Sequence, residues 1–192
     1  SPLGIGLPEY MAHIRKILKQ DIPIAGIGVQ GHSHLETFDR QFLMDALDSL
    51  ATFKLPIRIT EFNLPGMRSK YRQLQLTPEQ EESKAKEITD YFRICFAHPA
   101  VEAIILWGFW EGANWIPSSS LYKRDWSPTP ALEAYRNLVF NEWWTEESGT
   151  AGKKGLLKVP AFYGKYKVTV NGISKEVDLT KQEGRVVVNF RK

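Results

Sequence analysis

Cysteine is almost missing: Cys95 is the only one in 192 residues. An internal disulfide is excluded, and the redox compartment stays open. Charge of one sign is missing too. Lys and Arg number 25 against 22 Asp and Glu, a formal net of +3, and the two signs are interspersed. No basic stripe for nucleic acid forms from such a pattern. No apolar run reaches the length of a membrane span. The chain opens on Ser1-Pro2-Leu3 with neither Met nor signal peptide, so its native start is expected elsewhere and no localisation can be read directly. Apolar residues are plentiful, at 43%. That suffices for one sizeable core, or for one core and a small satellite domain.

Apolar periodicity divides the chain. Met11, Ile14, Ile17 and Leu18 stand at helical spacing between Pro8 and Gln20, and Asp21-Ile22-Pro23 ends that helix. A strand is expected over about 24–30. The next helix runs from Thr37 to Phe53, with Phe42, Leu43, Ala46, Leu47 and Leu50 on one face. Pro56 opens a strand over 57–61. Thr77-Pro78-Glu79-Gln80 carries a capping box and starts a helix that runs to about Ala97, before His98-Pro99. A strand over about 101–108 follows, and Pro128-Thr129-Pro130-Ala131 begins a last helix through Phe140. Strands alternating with helices imply an α/β fold with a parallel sheet.

The composition changes at Thr145. Residues 145–155 are polar and Gly-rich and read as a linker, so 1–144 form one domain and 156–192 a small β domain. Alternation marks strands over 162–170, 173–179 and 185–190, the first two joined by Asn171-Gly172. Trp143 and Trp144 read as anchors between the last helix and this β unit.

The ends of the three strands in the first domain carry the chemistry. Ile57-Arg58-Ile59-Thr60 ends abruptly in Glu61; a parallel α/β sheet places catalytic carboxylates at such ends. Taken alone, Glu61 reads rather as a helix-capping or salt-bridged residue. His32 ends Gly26-Ile-Gly-Val-Gln-Gly-His32 and stands within reach of Glu61 if the strands are neighbours, although a lone His is more often a satisfied polar group. His32 and His34 offer a metal only two ligands, so no metal is implied. Gln30 is divided evenly between bonding a ligand and bonding backbone. Trp107 and Trp115 offer flat apolar faces to a ring-shaped ligand, with core packing as the alternative. The direction of Arg58 is undecided. Tyr71, in the basic loop Arg68 to Arg72, follows the Glu61 strand and is a candidate for lining a groove.

Taken together, the three segments resemble the carboxy-terminal half of glycoside hydrolase family 10, the retaining xylanases. Gly26 to His32 resembles that family's sixth-strand motif. Pro56-Ile-Arg-Ile-Thr-Glu-Phe-Asn63 resembles the seventh, whose glutamate is the nucleophile. Trp107-Gly-Phe-Trp-Glu-Gly-Ala-Asn-Trp115 resembles the eighth, in which two tryptophans flank the sugar. The likeness runs from about Pro8 to Trp144, with Asn63 and Glu111 where the family usually has Asp.

The resemblance implies the C-terminal portion of a (β/α)8 TIM barrel followed by a small antiparallel β unit. It implies an endo-1,4-beta-xylanase-like hydrolase that cleaves β-1,4-xylosidic bonds of xylan by double displacement. Glu61 is then the nucleophile, His32 orients it, and Gln30, Trp107 and Trp115 bind substrate. No cofactor is implied. The family's acid/base follows the fourth strand in an Asn-Glu pair, and no such segment precedes Gly26. The acid/base is therefore expected in an N-terminal half outside these residues, and the expected partners are xylan or xylo-oligosaccharide and that missing half, or a second copy of the chain. Nucleic acid and membrane are not expected partners, and the resemblance implies a secreted or periplasmic protein. The competing expectations are a non-catalytic carbohydrate-binding protein and a related barrel glycosidase acting on another β-glycan.

Overall fold

The structure, a computed structural model, describes residues 6–190. The chain divides into two compact units, Ser1–Arg136 and Asn137–Lys192. Helix α1 spans Leu7–Leu18, strand β1 Ile27–Val29, α2 Arg40–Ala51, β2 Ile57–Phe62, α3 Pro78–Ala97, β3 Val101–Leu106 and α4 Pro130–Asn137. The fold of the first unit is α/β: β1, β2 and β3 form one sheet in that order, with both pairs parallel.

Local chemistry explains where the helices start. The Asp39 side chain accepts from the N–H of Phe42 and caps α2, so the helix begins at Arg40, three residues inside the expected start. Thr77 and Gln80 form both bonds of the capping box on α3. On α2, Leu47 and Leu50 are buried, whereas Phe42 is exposed, contrary to expectation. Leu43, Ala46, Leu47 and Leu50 define the buried stripe at helical spacing, and Phe42 falls just outside it.

The core lies between β2 and the helices. Ile57, Ile59 and Phe62 are buried on one face of β2, while Arg58 on the opposite face is 62% exposed and reaches Glu102 of β3 at 3.5 Å. Phe62 stacks on Tyr91 of α3 at 4.1 Å between centroids and meets Phe92 edge-on at 5.8 Å. Cys95 lies fully buried on α3, and burial pushes its thiol up to about 12. Strand β1 is only three residues long, against seven expected over 24–30. Its Ile27 is buried beside β2, while Ala25 and Gly26 ahead of it are exposed.

The second unit holds a two-stranded antiparallel hairpin, β4 Gly164–Val170 and β5 Ile173–Leu179. Asn171 and Gly172 both take positive φ, 49° and 81°, as a two-residue hairpin turn requires. The expected strand over 185–190 does not form. That segment lies beside Lys175, whose Nζ donates to the carbonyl of Asn189 at 2.6 Å and sits 5.2 Å from the Phe190 ring centroid. Trp144, expected to be an anchor, is 61% exposed. Residues 138–142 close the last helix in a π turn.

Candidate active site

Three strand ends meet at one place, and backbone bonds set their spacing. The N–H of Glu61 donates to the carbonyl of Gln30 at 2.8 Å, and that of Ser33 donates to the carbonyl of Asn63 at 3.0 Å. His32 and Asn63 pair as an isolated parallel bridge just beyond β1 and β2. The N–H of Trp107 donates to the carbonyl of Phe62 at 2.9 Å, which ties the end of β3 to the same point.

Two glycines let the chain turn there. Gly31 has φ +78°, and a Cβ on it would stand 2.5 Å from Ile59 Cγ2 and 2.9 Å from the Tyr91 hydroxyl. This left-handed residue turns His32 back toward Glu61. A Cβ on Gly66 would strike the backbone of Ser33 and His34, so only glycine lets the loops after β1 and β2 pack so closely.

The side chains converge accordingly. His32 Nε2 lies 3.0 Å from Glu61 Oε2, and His32 Nδ1 lies 2.8 Å from Asn63 Oδ1. The imidazole is nearly enclosed, at 7% exposure, while the Glu61 carboxylate keeps 26% and is open to a ligand. Trp107 and Trp115 meet the His32 ring edge-on at 6.0 and 5.8 Å. They remain 45% and 44% exposed, so nearly half of each stays open next to His32. Of the residues expected in the site, Glu61, His32, Trp107 and Trp115 come together. Gln30 joins them through its backbone, and its side chain is half-buried.

Other acidic and aromatic side chains are held elsewhere. Burial pushes the Glu36 carboxyl up, but hydrogen bonds from the Ser69 hydroxyl and the Lys70 N–H outweigh this and keep it below the usual range. It fastens the loop after β2. Glu111 accepts from the N–H of Arg124 at 2.9 Å. Tyr71 is half-buried with the Lys70 ammonium 5.0 Å from its ring centroid. Phe109 and Trp126 are exposed, and Trp126 stacks on Trp110 at 5.1 Å. Among the described residues, no cluster of three His, Cys, Asp or Glu side chains could hold a metal ion.

Sequence reasoning missed the residues that brace this site. Asn63 is 3% exposed and supports His32 from behind. Asn114 donates to the hydroxyls of Ser119 and Ser120 and accepts from the N–H of Ile116, folding the loop around Trp115. Lys84 of α3 donates to the carbonyls of Ser118 and Ser120, both at 3.1 Å. Its Nζ also lies 2.7 Å from Glu81 Oε2 in a buried ion pair. Asn63 and Asn114 adjoin the motif residues in sequence, and that adjacency was the available signal. Lys84 gave none, since a lysine in a charged helix reads as solvated.

Anti-sigma-I factor RsgI6 of Acetivibrio thermocellus is 32% identical over 189 residues, covering 95% of this chain and 23% of that protein. Endo-1,4-beta-xylanase 2 of Arabidopsis thaliana is 29% identical over 182 residues, covering 95% of this chain and 15% of that protein. The chain thus spans less than a quarter of the length of either relative. Among solved structures, xylanase 10B of Thermotoga petrophila RKU-1 in complex with xylobiose shares the fold with a TM-score of 0.60 at 22% identity, over 70% of this chain and 42% of that one. Native xylanase 10B of Thermotoga maritima gives 0.58 at 23% identity, over 69% and 41%. The family model described as Glycosyl hydrolase family 10 matches residues 8–138, well over half of the sequence. Strand order, site geometry and family match lead to one assignment: the chain belongs to glycosyl hydrolase family 10.

Proposed function

We propose that this chain supplies the nucleophile half of a retaining glycoside hydrolase that cleaves β-1,4-xylosidic bonds in xylan. The observation that carries the reading is the 3.0 Å contact of His32 Nε2 with Glu61 Oε2, at a strand end flanked by the open faces of Trp107 and Trp115. A Glu61 carboxylate oxygen attacks the anomeric carbon, and the glycosidic C–O bond breaks as an acid on the opposite side protonates the leaving oxygen. Water then attacks the same carbon, gives its proton to that second residue, and frees Glu61. His32 holds the Glu61 carboxylate in one rotamer. Trp107 and Trp115 take the C–H faces of the sugar rings, and Gln30 bonds a sugar hydroxyl.

The acid/base lies in the N-terminal half of the barrel, outside these residues. The three-stranded parallel sheet is then a segment of a (β/α)8 barrel, completed by that half or by a second copy. The exposed face of β2 at Arg58 supports this, since parallel sheets are ordinarily covered on both faces. By family resemblance, the proposed site of action is secreted or periplasmic.

The test is Glu61→Gln in the complete protein. Turnover on xylan falls at least 10³-fold while xylo-oligosaccharide binding is largely kept, because the carboxylate acts on the transition state, an effect of about 4 kcal/mol or more. Retention of a tenth of the parental rate on xylan would overturn the assignment, and a parallel assay on mixed-linkage glucan separates xylan from another β-glycan.

A second reading has its own support. The anti-sigma-I factor RsgI6 matches 95% of this chain, including residues beyond the family match. In that reading the same aromatic faces bind a β-glycan without cleaving it, and the chain reports the polymer's presence. Under it, the complete protein binds xylo-oligosaccharide, and both it and Glu61→Gln leave the sugar uncut.

A further inference from the structure

The carboxamide of Asn63 raises a question that the retaining mechanism leaves open: which nitrogen of His32 carries the proton. Asn63 is 3% exposed, and its Nδ2 is buried without a hydrogen-bond partner. Its oxygen faces His32 Nδ1 at 2.8 Å, and the other ring nitrogen faces Glu61 at 3.0 Å. A carboxylate only accepts, and so does an amide oxygen. With these partners both ring nitrogens must donate, and His32 is an imidazolium, 7% exposed, with Glu61 as its carboxylate partner. Both hydrogens of Asn63 Nδ2 are then buried and unused. Half a turn about χ2 exchanges the oxygen and nitrogen of a carboxamide in nearly the same volume. In that arrangement one Nδ2 hydrogen is donated to Nδ1, so the two unpaired N–H groups become one unpaired N–H and one unpaired carbonyl. Buried carbonyls tolerate an unmet bond better than buried N–H groups do, and a neutral ring escapes the cost of burying a cation.

We propose that Asn63 donates to His32 Nδ1 and thereby fixes His32 as a neutral imidazole with its single proton on Nε2, directed at Glu61 Oε2. Asn63 is a positioning residue: it acts on the nucleophile through the tautomer of His32. The role as a nucleophile clamp rests on the glycosidase reading, whereas the tautomer itself does not.

The test is a long-range nitrogen–proton correlation spectrum of the chain carrying ¹⁵N-histidine, at neutral pH. The expected result for His32 is one protonated nitrogen, Nε2, and one unprotonated nitrogen, Nδ1. Two protonated nitrogens, or the proton on Nδ1, would overturn the proposal. Asn63→Asp places an acceptor-only group at Nδ1, and the unprotonated-nitrogen signal is then lost. If that signal survives in a folded Asn63→Asp variant, Asn63 does not set the tautomer and the proposal falls. The wild-type spectrum decides by itself should the variant not fold. Because the spectrum needs no turnover, it separates this inference from the glycosidase reading: a neutral Nε2–H His32 in a protein whose Glu61→Gln form still hydrolyses xylan keeps the inference and removes the mechanism.

Discussion

Glu61 is placed by two independent constraints. Its N–H is fixed by the Gln30 carbonyl, and its carboxylate by His32. The tryptophans are placed differently: Trp107 by a backbone bond to Phe62, Trp115 by a loop folded on Asn114. Both leave nearly half of their surface open. Replacing either by Ala therefore removes open ring surface as well as packing. Trp115→Ala is expected to weaken xylo-oligosaccharide binding roughly tenfold, about 1.4 kcal/mol, as titration calorimetry would measure. Its melting temperature should shift by only a few degrees. A large loss of stability with unchanged affinity would make Trp115 a packing residue. At this scale the sequence was readable where a residue type stood at a strand end, as with Glu61 and His32. It was unreadable where a polar side chain works from behind, as with Asn63, because nothing in an asparagine two residues beyond a glutamate tells which neighbour it will face.

At the scale of elements, α2 and α3 are joined by a charged clamp as well as by apolar contact. The Arg40 guanidinium donates to Glu87 at 2.9 Å and to Asp90 at 2.6 Å. The hydrogen bonds from Arg40, aided by Lys86, hold the Asp90 carboxyl below the usual carboxylate range despite partial burial. A carboxyl depressed in the folded state contributes stability above its unfolded value and loses that contribution as pH falls through the folded one. Arg40→Ala is expected to cost about 2 kcal/mol at neutral pH, since the Glu87 side chain, at 10% exposure, loses its cation. The difference between wild type and variant should narrow as pH falls below the ordinary Asp range, in denaturant titrations at stepped pH. A difference that stays constant with pH would remove Asp90 from the explanation. The helices were legible because their signals are local, as the complete capping box on α3 demonstrates. Strand β1 was over-read at seven residues because strand extent is set by the neighbour: Ile27, Gly28 and Val29 pair in register with Ile57, Arg58 and Ile59 of β2. The strand expected over 185–190 shows the same limit, since alternation in a sequence supplies side chains of the right kind but does not set backbone pairing.

For the whole molecule, the parallel sheet of three strands was foreseeable from the alternation of strands and helices. The β unit was foreseen only as far as its Asn171-Gly172 hairpin. In the present account one carboxylate of the reacting pair, Glu61, lies in this chain and the acid outside it. General acid catalysis contributes about 10²–10⁴-fold, so the chain alone should leave xylan essentially uncut. A substrate whose leaving group needs no proton removes that requirement and isolates the nucleophile. The most direct measurement is therefore peptide mass mapping of the chain after incubation with a 2-deoxy-2-fluoro xylobioside bearing a dinitrophenolate leaving group. The fluorine slows release of the covalent intermediate, so a true nucleophile retains the sugar. The account predicts one fluoroxylobiosyl increment on the peptide containing Glu61, and none in Glu61→Gln. A label on Glu36, Glu111 or any other carboxylate, or an undiminished label in Glu61→Gln, would contradict it.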